Sequence, residues 1–421
     1  MTKLSVKCGM LGTLSGLLLV GCAGVTPAST QTTAESRIAA QVGVRPFYLV
    51  DDMAASELKR QLEQCSTGPF YRSNFVISHR GAPLQFPEHT KEGYLAGARM
   101  GAGTLECDVT FTKDKALVCR HSQCDLANTT DILLHSDIAM QCSQPFTPAN
   151  SKTGAPAAAV CCTSDITLAQ FKQLKGKMDG FNPKAQTAEE YVQGTPSWRT
   201  DLYAQTGTLM TLQDSIVLFK KLGVKQSPEL KKPMVPMPFD GMTQQDYAQK
   251  LVDAYRVAGI PTQQLLPQSF NLDDLLYWLK QDPDFGKQAI FLDEGTNSPD
   301  FDPMQPRTWK WTMAELKRQG VTTIAPAMWM LVTLNDAKKI VPSRYAIEAK
   351  KAGLKIIAWS FERSGPLANG GGWYYQTISN AINHDGDMMV LLDVLAKQVG
   401  VSAIFADWPG TVTYYANCMG L

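Results

Sequence analysis

The chain has 421 residues, of which 44% are hydrophobic and 19% are charged, an ordinary composition for a globular protein of one or two domains. Forty basic residues stand against thirty-nine acidic ones, so the formal net charge is +1. That balance argues against nucleic acid as a partner and against a broad electrostatic membrane patch, but it leaves room for a local basic site.

The first 22 residues are predicted to be a targeting segment. Lys3 and Lys7 precede an apolar run over residues 10–20, which is too short to span a bilayer. The run ends in LVGC at Cys22, which resembles a bacterial lipobox. This resemblance implies an exported lipoprotein, lipidated at Cys22 and anchored to a membrane facing the periplasm or the cell surface. A plain secretory signal is the alternative. Residues 23–45, mostly small and polar at their start, are predicted to form a flexible tether.

The remaining residues, 46–421, alternate short apolar runs with helical patterns, beginning with FVIS at 75–78. Such alternation predicts βαβ units and a mostly parallel sheet. Eight or nine runs favour a closed (β/α)₈ TIM barrel over an open sheet, whose glycine-rich phosphate loop does not occur in the sequence. The runs TLECDVTF and ALVCRHS are separated only by TKDK, so we expect a hairpin there and one strand more than the barrel needs.

Residues 136–210 interrupt this rhythm with three cysteines, several prolines and little periodicity. They are predicted to form a long insertion in the barrel domain. A functional loop and a disulfide-held lid without a chemical role fit equally well.

Eight cysteines follow Cys22, and export would favour disulfides between them. A zinc site is disfavoured, because there is no CxxC pair and there are few histidines. The local pairs that we predict are Cys119 with Cys124, and Cys142 with Cys161 or Cys162.

Chemistry in a barrel is located at the carboxyl ends of its strands, so the polar residues there are the candidates for a site. Two of the five histidines, His79 and His121, end apolar runs. A pair of histidines with carboxylates nearby suits acid–base catalysis.

Three carboxylates and a lysine occupy similar positions. Glu106 and Asp108 are two residues apart and share one face of a strand, and the hairpin is expected to place His121 opposite Glu106. Glu229 and Lys231 share a face in the same way. Ligands that are all oxygen favour a hard cation, Ca²⁺ or Mg²⁺, and a lysine beside them suits a phosphoryl oxygen.

Together these residues resemble the signature set of the glycerophosphodiester phosphodiesterases. The motifs that carry the resemblance are His79-Arg80-Gly81, Pro87-Glu88-His89-Thr90, Glu106-Cys107-Asp108, His121 and Glu229-Leu230-Lys231. The form PEHT, in place of PENT, is similar to the periplasmic branch of that family.

The resemblance implies a TIM barrel that hydrolyses glycerophosphodiesters to sn-glycerol 3-phosphate and an alcohol with one divalent cation, for which we favour Ca²⁺ over Mg²⁺. It also implies a role for each residue of the set. The expected roles are Glu106, Asp108 and Glu229 for the metal, His79 and His121 for acid–base catalysis, Arg80 and Lys231 for the phosphate, and Glu88 as a supporting residue. His89 has no implied chemistry and is expected to be a structural hydrogen-bonding residue.

Two other functions stay open at this point. A phospholipase acting on intact lipids on the same site would need an exposed apolar loop at the barrel mouth, for which PMVPMPF at 233–239 is the candidate. A surface-binding lipoprotein with a decayed site is the second alternative, and the retention of the whole motif set argues against it.

Overall fold

The structure, a computed structural model, describes residues 37–200, 206–295 and 298–421, and Ile38–Leu421 form one compact unit. The predicted targeting segment, with Cys22, lies outside the described residues. Within the described residues, no helix combines the length and the apolar character needed to cross a membrane.

Eight parallel strands of the described chain form a closed barrel, so the predicted TIM-barrel fold is confirmed. Each strand pairs with its neighbour in sequence, and the first pairs with both the second and the eighth, which closes the sheet. The strands are β1 Ser73–Ser78, β2 Ala102–Phe111, β3 Lys225–Leu230, β4 Gln268–Ser269, β5 Ile290–Asp293, β6 Thr323–Pro326, β7 Lys355–Phe361 and β8 Ala403–Ala406.

A helix follows each barrel strand, and local sequence signals explain where the helices begin and end. In the second helix, Thr211 and Asp214 form a reciprocal capping box at the start, and Gly223 ends the helix with φ +62°. The barrel helices are α1 Lys91–Arg99, α2 Leu212–Leu222, α3 Gln244–Val257, α4 Leu272–Gln281, α5 Met313–Arg318, α6 Arg344–Lys351, α7 Asp387–Asp393 and α8 Pro409–Met419. Two further helices, Arg45–Asp51 and Glu57–Gln64, precede β1.

Apolar side chains fill the barrel interior below its catalytic rim. This inner cluster is contributed by several strands and is separate from the larger core between the strands and the surrounding helices. Ile77, Ile290, Leu292, Ala325, Ile357, Ala403 and Phe405 are its members. Polar side chains at the carboxyl ends of the strands therefore stand on a packed apolar base.

The ninth strand of the sheet is the predicted hairpin. Leu117–Cys119 runs antiparallel to β2, with Cys119 opposite Val109. This strand ends at Cys119, so His121 lies beyond the ladder and the predicted pairing of His121 with Glu106 is wrong. This antiparallel strand is the one strand that the sequence predicted beyond the eight of the barrel.

The insertion starts before the predicted residue 136. Residues from Leu126 to Val192 build a second hydrophobic cluster, apart from the barrel core, to which Val118 of the hairpin also contributes. Its regular elements are short because the cluster is small and cross-linked. They are the helices Leu126–Thr129, Ser136–Ala139, Leu168–Phe171 and Ala188–Tyr191 and the strands Gln144–Thr147, Ala158–Val160, Lys175–Gly176 and Gly207–Thr208.

Four disulfides pair all eight cysteines of the described residues. They are Cys65–Cys418, Cys107–Cys119, Cys124–Cys162 and Cys142–Cys161. The predicted pair of Cys142 with Cys161 is confirmed. The predicted pair of Cys119 with Cys124 is wrong, because the hairpin sets Cys119 beside Cys107 on β2 and Cys124 lies in the insertion.

The predicted tether extends too far along the chain. Ala39 forms a β-bridge with Tyr71, Val42 is buried, and Arg45 begins a helix. The Arg45 guanidinium also forms a 2.5 Å ion pair with the buried Glu362 at the end of β7. Residues 38–45 are therefore part of the folded unit.

Candidate active site

The first strand ends in a sharp turn that presents His79 and Arg80. Arg80 and Gly81 have φ of +54° and +99°, in the left-handed region where glycine is favoured. A Cβ on Gly81 would lie 2.8 Å from the carbonyl carbon of Gly93, so no larger residue fits against α1. The turn directs the Arg80 N–H at Glu106 Oε2, at 2.9 Å.

The PEHT segment folds back onto this turn. The His89 N–H donates to the Arg80 carbonyl at 2.9 Å, and the Arg80 guanidinium donates to Glu88 Oε2 at 3.2 Å. His89 is fully buried, with its ring nitrogens 2.9 Å from the Tyr94 hydroxyl and 3.0 Å from Asp108 Oδ2. His89 therefore orients Asp108, in keeping with the structural role expected for it.

Glu106, Asp108 and Glu229 converge at the rim. Asp108 and Glu229 are direct partners in the register between β2 and β3, and Glu106 lies two residue pairs earlier on β2, opposite Ser227. One oxygen of each carboxylate lies within 4.8 Å of the others, and all three side chains are buried. This is an oxygen-only ligand set of the kind that hard cations prefer.

Crowding with other carboxylates affects the pKa of Glu106 and Glu229, whereas Lys231, His89 and Arg80, despite the opposing effect of burial, lower the pKa of Asp108. Burial, reinforced by repulsion from Asp108 and Glu229, raises the pKa of Glu106 well above its usual range. Burial also raises the pKa of Glu229 to about 8, although Lys231 opposes the shift. Asp108 Oδ1 is buried without a hydrogen-bond partner among the described residues. A bound cation would relieve the repulsion and coordinate that orphan oxygen, so these residues fit a divalent metal.

Arg80 and Lys231 flank the carboxylates. Lys231 Nζ is 2.6 Å from Glu229 Oε1, and Arg80 Nε is 3.7 Å from Asp108 Oδ2. Both side chains line the same cavity as the carboxylates. They can therefore contact an anion that binds beside the carboxylate cluster.

His79 is held by a carboxylate from the last strand. His79 Nδ1 lies 2.5 Å from Asp407 Oδ1, and its Nε2 lies 3.4 Å from Ser360 Oγ and 3.9 Å from Glu106 Oε2. Burial and the nearby Arg80 lower the pKa of His79 to about 4. Asp407 is held as an anion because Arg363, despite the opposing effect of burial, lowers the pKa of this carboxyl to about 2.

His121 lines the same cavity, beside a second group of carboxylates. One ring nitrogen lies within 4.8 Å of carboxylate oxygens of Glu88 and Asp125. Burial, Arg80 and Lys231 lower the pKa of His121 well below its usual value. Both histidines that line the cavity therefore favour the neutral form in the ligand-free protein.

The cavity has a volume of about 1020 Å³, and all the sequence-predicted site residues line it except the fully buried Asp108. The insertion forms part of its wall with Asn128 and Asp179. Arg199, also from the insertion, lies 3.4 Å from Asp179 and 3.7 Å from Asp407. The insertion therefore contributes side chains to the wall of the cavity.

Sequence reasoning missed three contributors. Asp407, the partner of His79, and the two arginines beside it, Arg363 and Arg199, were not among the predicted site residues. Asp407 directly follows β8 and Arg363 follows the end of β7, so their positions at strand ends could have identified both as site residues. Arg199 lies in an aperiodic stretch and gave none.

Two histidines, two cationic side chains and a carboxylate cluster in one cavity of a (β/α)₈ barrel are groups suited to an enzyme of phosphate ester chemistry. Residues 79–411 match the glycerophosphoryl diester phosphodiesterase family, and the chain belongs to that family. It is accordingly an enzyme that hydrolyses glycerophosphodiesters.

Two proteins of similar sequence and one solved structure resemble this chain. An "Extracellular protein" of Arthroderma benhamiae is 48% identical over 249 residues, which is 58% of this chain and all of that one. Glycerophosphodiester phosphodiesterase GDPD6 of Arabidopsis thaliana is 21% identical over 90% of this chain and 94% of its own length. A solved structure from Silicibacter pomeroyi, a putative glycerophosphoryl diester phosphodiesterase, has a TM-score of 0.53 at 18% identity, covers 84% of this chain and 95% of its own, and supports the barrel fold.

The Asp407–His79 contact generates a prediction. Asp407→Asn is expected to lower kcat by about 10²- to 10⁴-fold with little change in KM, because the neutral amide no longer holds the His79 ring in its tautomer. Steady-state kinetics on glycerophosphocholine, with circular dichroism as the check on folding, measure the effect. Asp284→Asn is the matched control, since Asp284 is exposed and does not line the cavity. Turnover of Asp407→Asn equal to that of the wild type would exclude a positioning role for Asp407.

Proposed function

We propose that the chain releases sn-glycerol 3-phosphate and an alcohol from glycerophosphodiesters with a divalent cation held by Glu106, Asp108 and Glu229. The observation that carries the proposal is the convergence of these carboxylates, of two histidines and of the cationic side chains of Arg80 and Lys231 on one cavity. The PEHT segment supports assignment to the periplasmic branch of the family. The family match does not favour intact lipids or a non-catalytic role.

The cation would neutralise charge on the phosphate and on the reacting oxygens when it is bound. We propose Ca²⁺ rather than Mg²⁺ for this site. Three protein carboxylates are more than the one or two with which Mg²⁺ is usually held, and Ca²⁺ accepts carboxylates in either monodentate or bidentate form, whereas Mg²⁺ usually retains several waters.

Arg80 and Lys231 bind the non-bridging phosphate oxygens in this proposal. The two side chains lie on adjacent sides of the carboxylate cluster, and Arg80 is fixed by Glu88 and by its own backbone contact to Glu106. Donors that are already oriented in a water-poor cavity stabilise developing negative charge without reorganising.

The two histidines take different roles in proton transfer. When Nδ1 of His79 donates to Asp407, its Nε2 faces the cavity with a lone pair and can accept the proton of the nucleophile. His121 has Glu88 and Asp125 beside it, and these carboxylates favour its protonated form. A bound phosphodiester anion would also offset the effect of Arg80 and Lys231, which allows His121 to protonate the leaving alkoxide.

The histidine roles predict a loss of turnover on mutation. His79→Ala and His121→Ala are each expected to lower kcat on glycerophosphocholine by about 10²- to 10⁴-fold, because each removes one proton-transfer group. Release of sn-glycerol 3-phosphate is the measurement. His135→Ala is the control, since His135 lies in the insertion and pairs with Asp131. Wild-type kcat in either active-site variant would contradict its assignment.

The carboxylate cluster predicts metal dependence. Removal of divalent ions with EDTA is expected to abolish turnover, and Ca²⁺ is expected to restore it at lower concentrations than Mg²⁺. Independently of activity, Glu106→Gln is expected to weaken Ca²⁺ binding by about 10- to 100-fold or more in isothermal titration calorimetry. Glu63→Gln, an exposed change away from the site, is the control. Full activity in EDTA with no measurable Ca²⁺ binding would refute the metal assignment.

We also propose that the chain is exported and that Cys22 carries the lipid anchor. The LVGC sequence, the four disulfides of the folded unit and the name "Extracellular protein" of the Arthroderma benhamiae relative support export. Lipidation of Cys22 is supported by the lipobox resemblance alone.

This proposal predicts the outcome of metabolic labelling with a radioactive fatty acid in a bacterial host. The wild type and Cys8→Ser are expected to take up label and to fractionate with membranes, because both keep Cys22. Cys22→Ser is expected to lose both properties. Secretion of an unlabelled wild-type chain would instead identify a plain secretory signal.

A further inference from the structure

The two histidines of the cavity differ in the carboxylates beside them. Asp407 Oδ1 lies 2.5 Å from Nδ1 of His79 and holds that ring in one orientation. His121 instead has two carboxylates near one ring nitrogen, with oxygens of Glu88 and Asp125 within 4.8 Å of it. Either carboxylate could therefore serve His121 as Asp407 serves His79, and their other contacts decide between them.

Glu88 already has three arginines around it. The Arg80 guanidinium donates to Glu88 Oε2 at 3.2 Å, and Arg363 Nη2 lies 3.7 Å from the same oxygen. Arg120 Nη2 lies 3.7 Å from the other oxygen, Oε1. Despite the opposing effect of burial, Arg80 and Arg363 hold the pKa of Glu88 well below its usual range. Because its charge is already balanced, Glu88 gains little from a positive charge on His121.

Asp125 has fewer partners. Its Oδ2 accepts the Ser122 N–H at 3.0 Å, and its Oδ1 lies 3.6 Å from Arg120 Nε. Oδ1 has no hydrogen-bond partner among the described residues. Burial raises the pKa of Asp125 to about 6, although Arg120 opposes the shift. A carboxylate in this state is stabilised when a second cation forms beside it, so Asp125 is the better partner for a protonated His121.

The short segment that carries both residues is fixed to the rest of the protein at each end. Cys119, two residues before His121, is joined by a disulfide to β2. Cys124, directly before Asp125, is joined by a disulfide to Cys162. Both His121 and Asp125 line the cavity. Two cross-links therefore hold the imidazole and the carboxylate near each other at the cavity wall.

We propose that Asp125 is the positioning residue of His121 and stabilises the imidazolium that protonates the leaving alcohol. As the bond between phosphorus and the alcohol oxygen breaks, that oxygen takes the proton of the imidazolium, and His121 becomes neutral. Asp407 has the corresponding role toward His79, which accepts the proton of the nucleophile. This inference rests on the proposed function and divides its proton transfers between two separate pairs of histidine and aspartate.

The acidity of the leaving group separates the two pairs experimentally. Choline leaves as an alkoxide that needs a proton, whereas the glycerophosphodiester of 4-nitrophenol releases a phenolate that is stable without one. A residue that serves proton donation therefore affects hydrolysis of the choline ester alone. A residue that serves the nucleophile affects both esters, because both are attacked in the same way.

The experiment measures kcat for glycerophosphocholine and for the 4-nitrophenyl ester. Asp125→Asn is expected to lower kcat for the choline ester by about 10- to 100-fold, as a histidine that loses one nearby opposite charge is less often protonated. The same variant is expected to change kcat for the 4-nitrophenyl ester by less than about twofold. His121→Ala is expected to show the same selectivity, with a larger loss on the choline ester, whereas Asp407→Asn slows both.

Three further variants complete the set. Asp125→Glu keeps the charge and is expected to retain more activity on the choline ester than Asp125→Asn. Asp131→Asn is the matched control, since it makes the same change beside another histidine, His135, at 3.2 Å in the insertion, and leaves both esters unaffected. Glu88→Gln is expected to slow both esters, because Glu88 fixes Arg80. Circular dichroism checks folding, and Asp125→Ser takes the place of Asp125→Asn if the latter does not fold.

The outcomes separate the role of Asp125 from the function on which it rests. If Asp125→Asn slows both esters by the same factor, or slows neither, the positioning role is overturned and the phosphodiesterase function stands. If His121→Ala slows both esters equally, His121 is not the proton donor, and the role of Asp125 is overturned with it. If the wild type hydrolyses neither ester, the proposed function itself is overturned.

Discussion

The site depends on a buried cluster of like charges. Adjacent parallel strands place Asp108 and Glu229 in register, and Glu106 lies two pairs earlier on the same face of β2. Three carboxylates in a low-dielectric environment repel one another and are costly to bury without cations or hydrogen-bond donors around them. The surrounding structure supplies these cations and donors. The positive φ angles after β1 and the charged network around His79 are explained by the need to place them.

The two motifs after β1, HRG at 79–81 and PEHT at 87–90, supply two of these groups. Arg80 approaches the carboxylates only because the turn adopts positive φ at Arg80 and Gly81, and the close packing of Gly81 against Gly93 makes that turn possible. His89, also at positive φ, contributes a ring nitrogen to Asp108. Strained backbone at these positions is consistent with a site whose contacts outweigh the local cost.

A second charged network positions the histidine of the first strand. Asp407 at the end of β8 accepts from His79 and is surrounded by Arg363 and Arg199, which come from the β7 loop and the insertion. The insertion has a hydrophobic cluster and disulfides of its own, and Asp179 lies in the stretch that this cluster spans, whereas Arg199 follows it and forms ion pairs with Asp179 and Asp407. This explains how a segment without periodicity contributes ordered side chains to the site.

The sequence by itself determined the barrel, the position of its catalytic rim and the residues of the rim motifs. These features are local: strand and helix periods repeat along the chain, and His79, Glu106 and Glu229 each end or face a strand in a way that spacing reveals. Only the tertiary structure decided the register of the hairpin, three of the four disulfides, the extent of the insertion and the partners Asp407, Arg363 and Arg199. Each of these depends on contacts between residues far apart in the chain or on a one-residue choice of register, and neither leaves a local pattern.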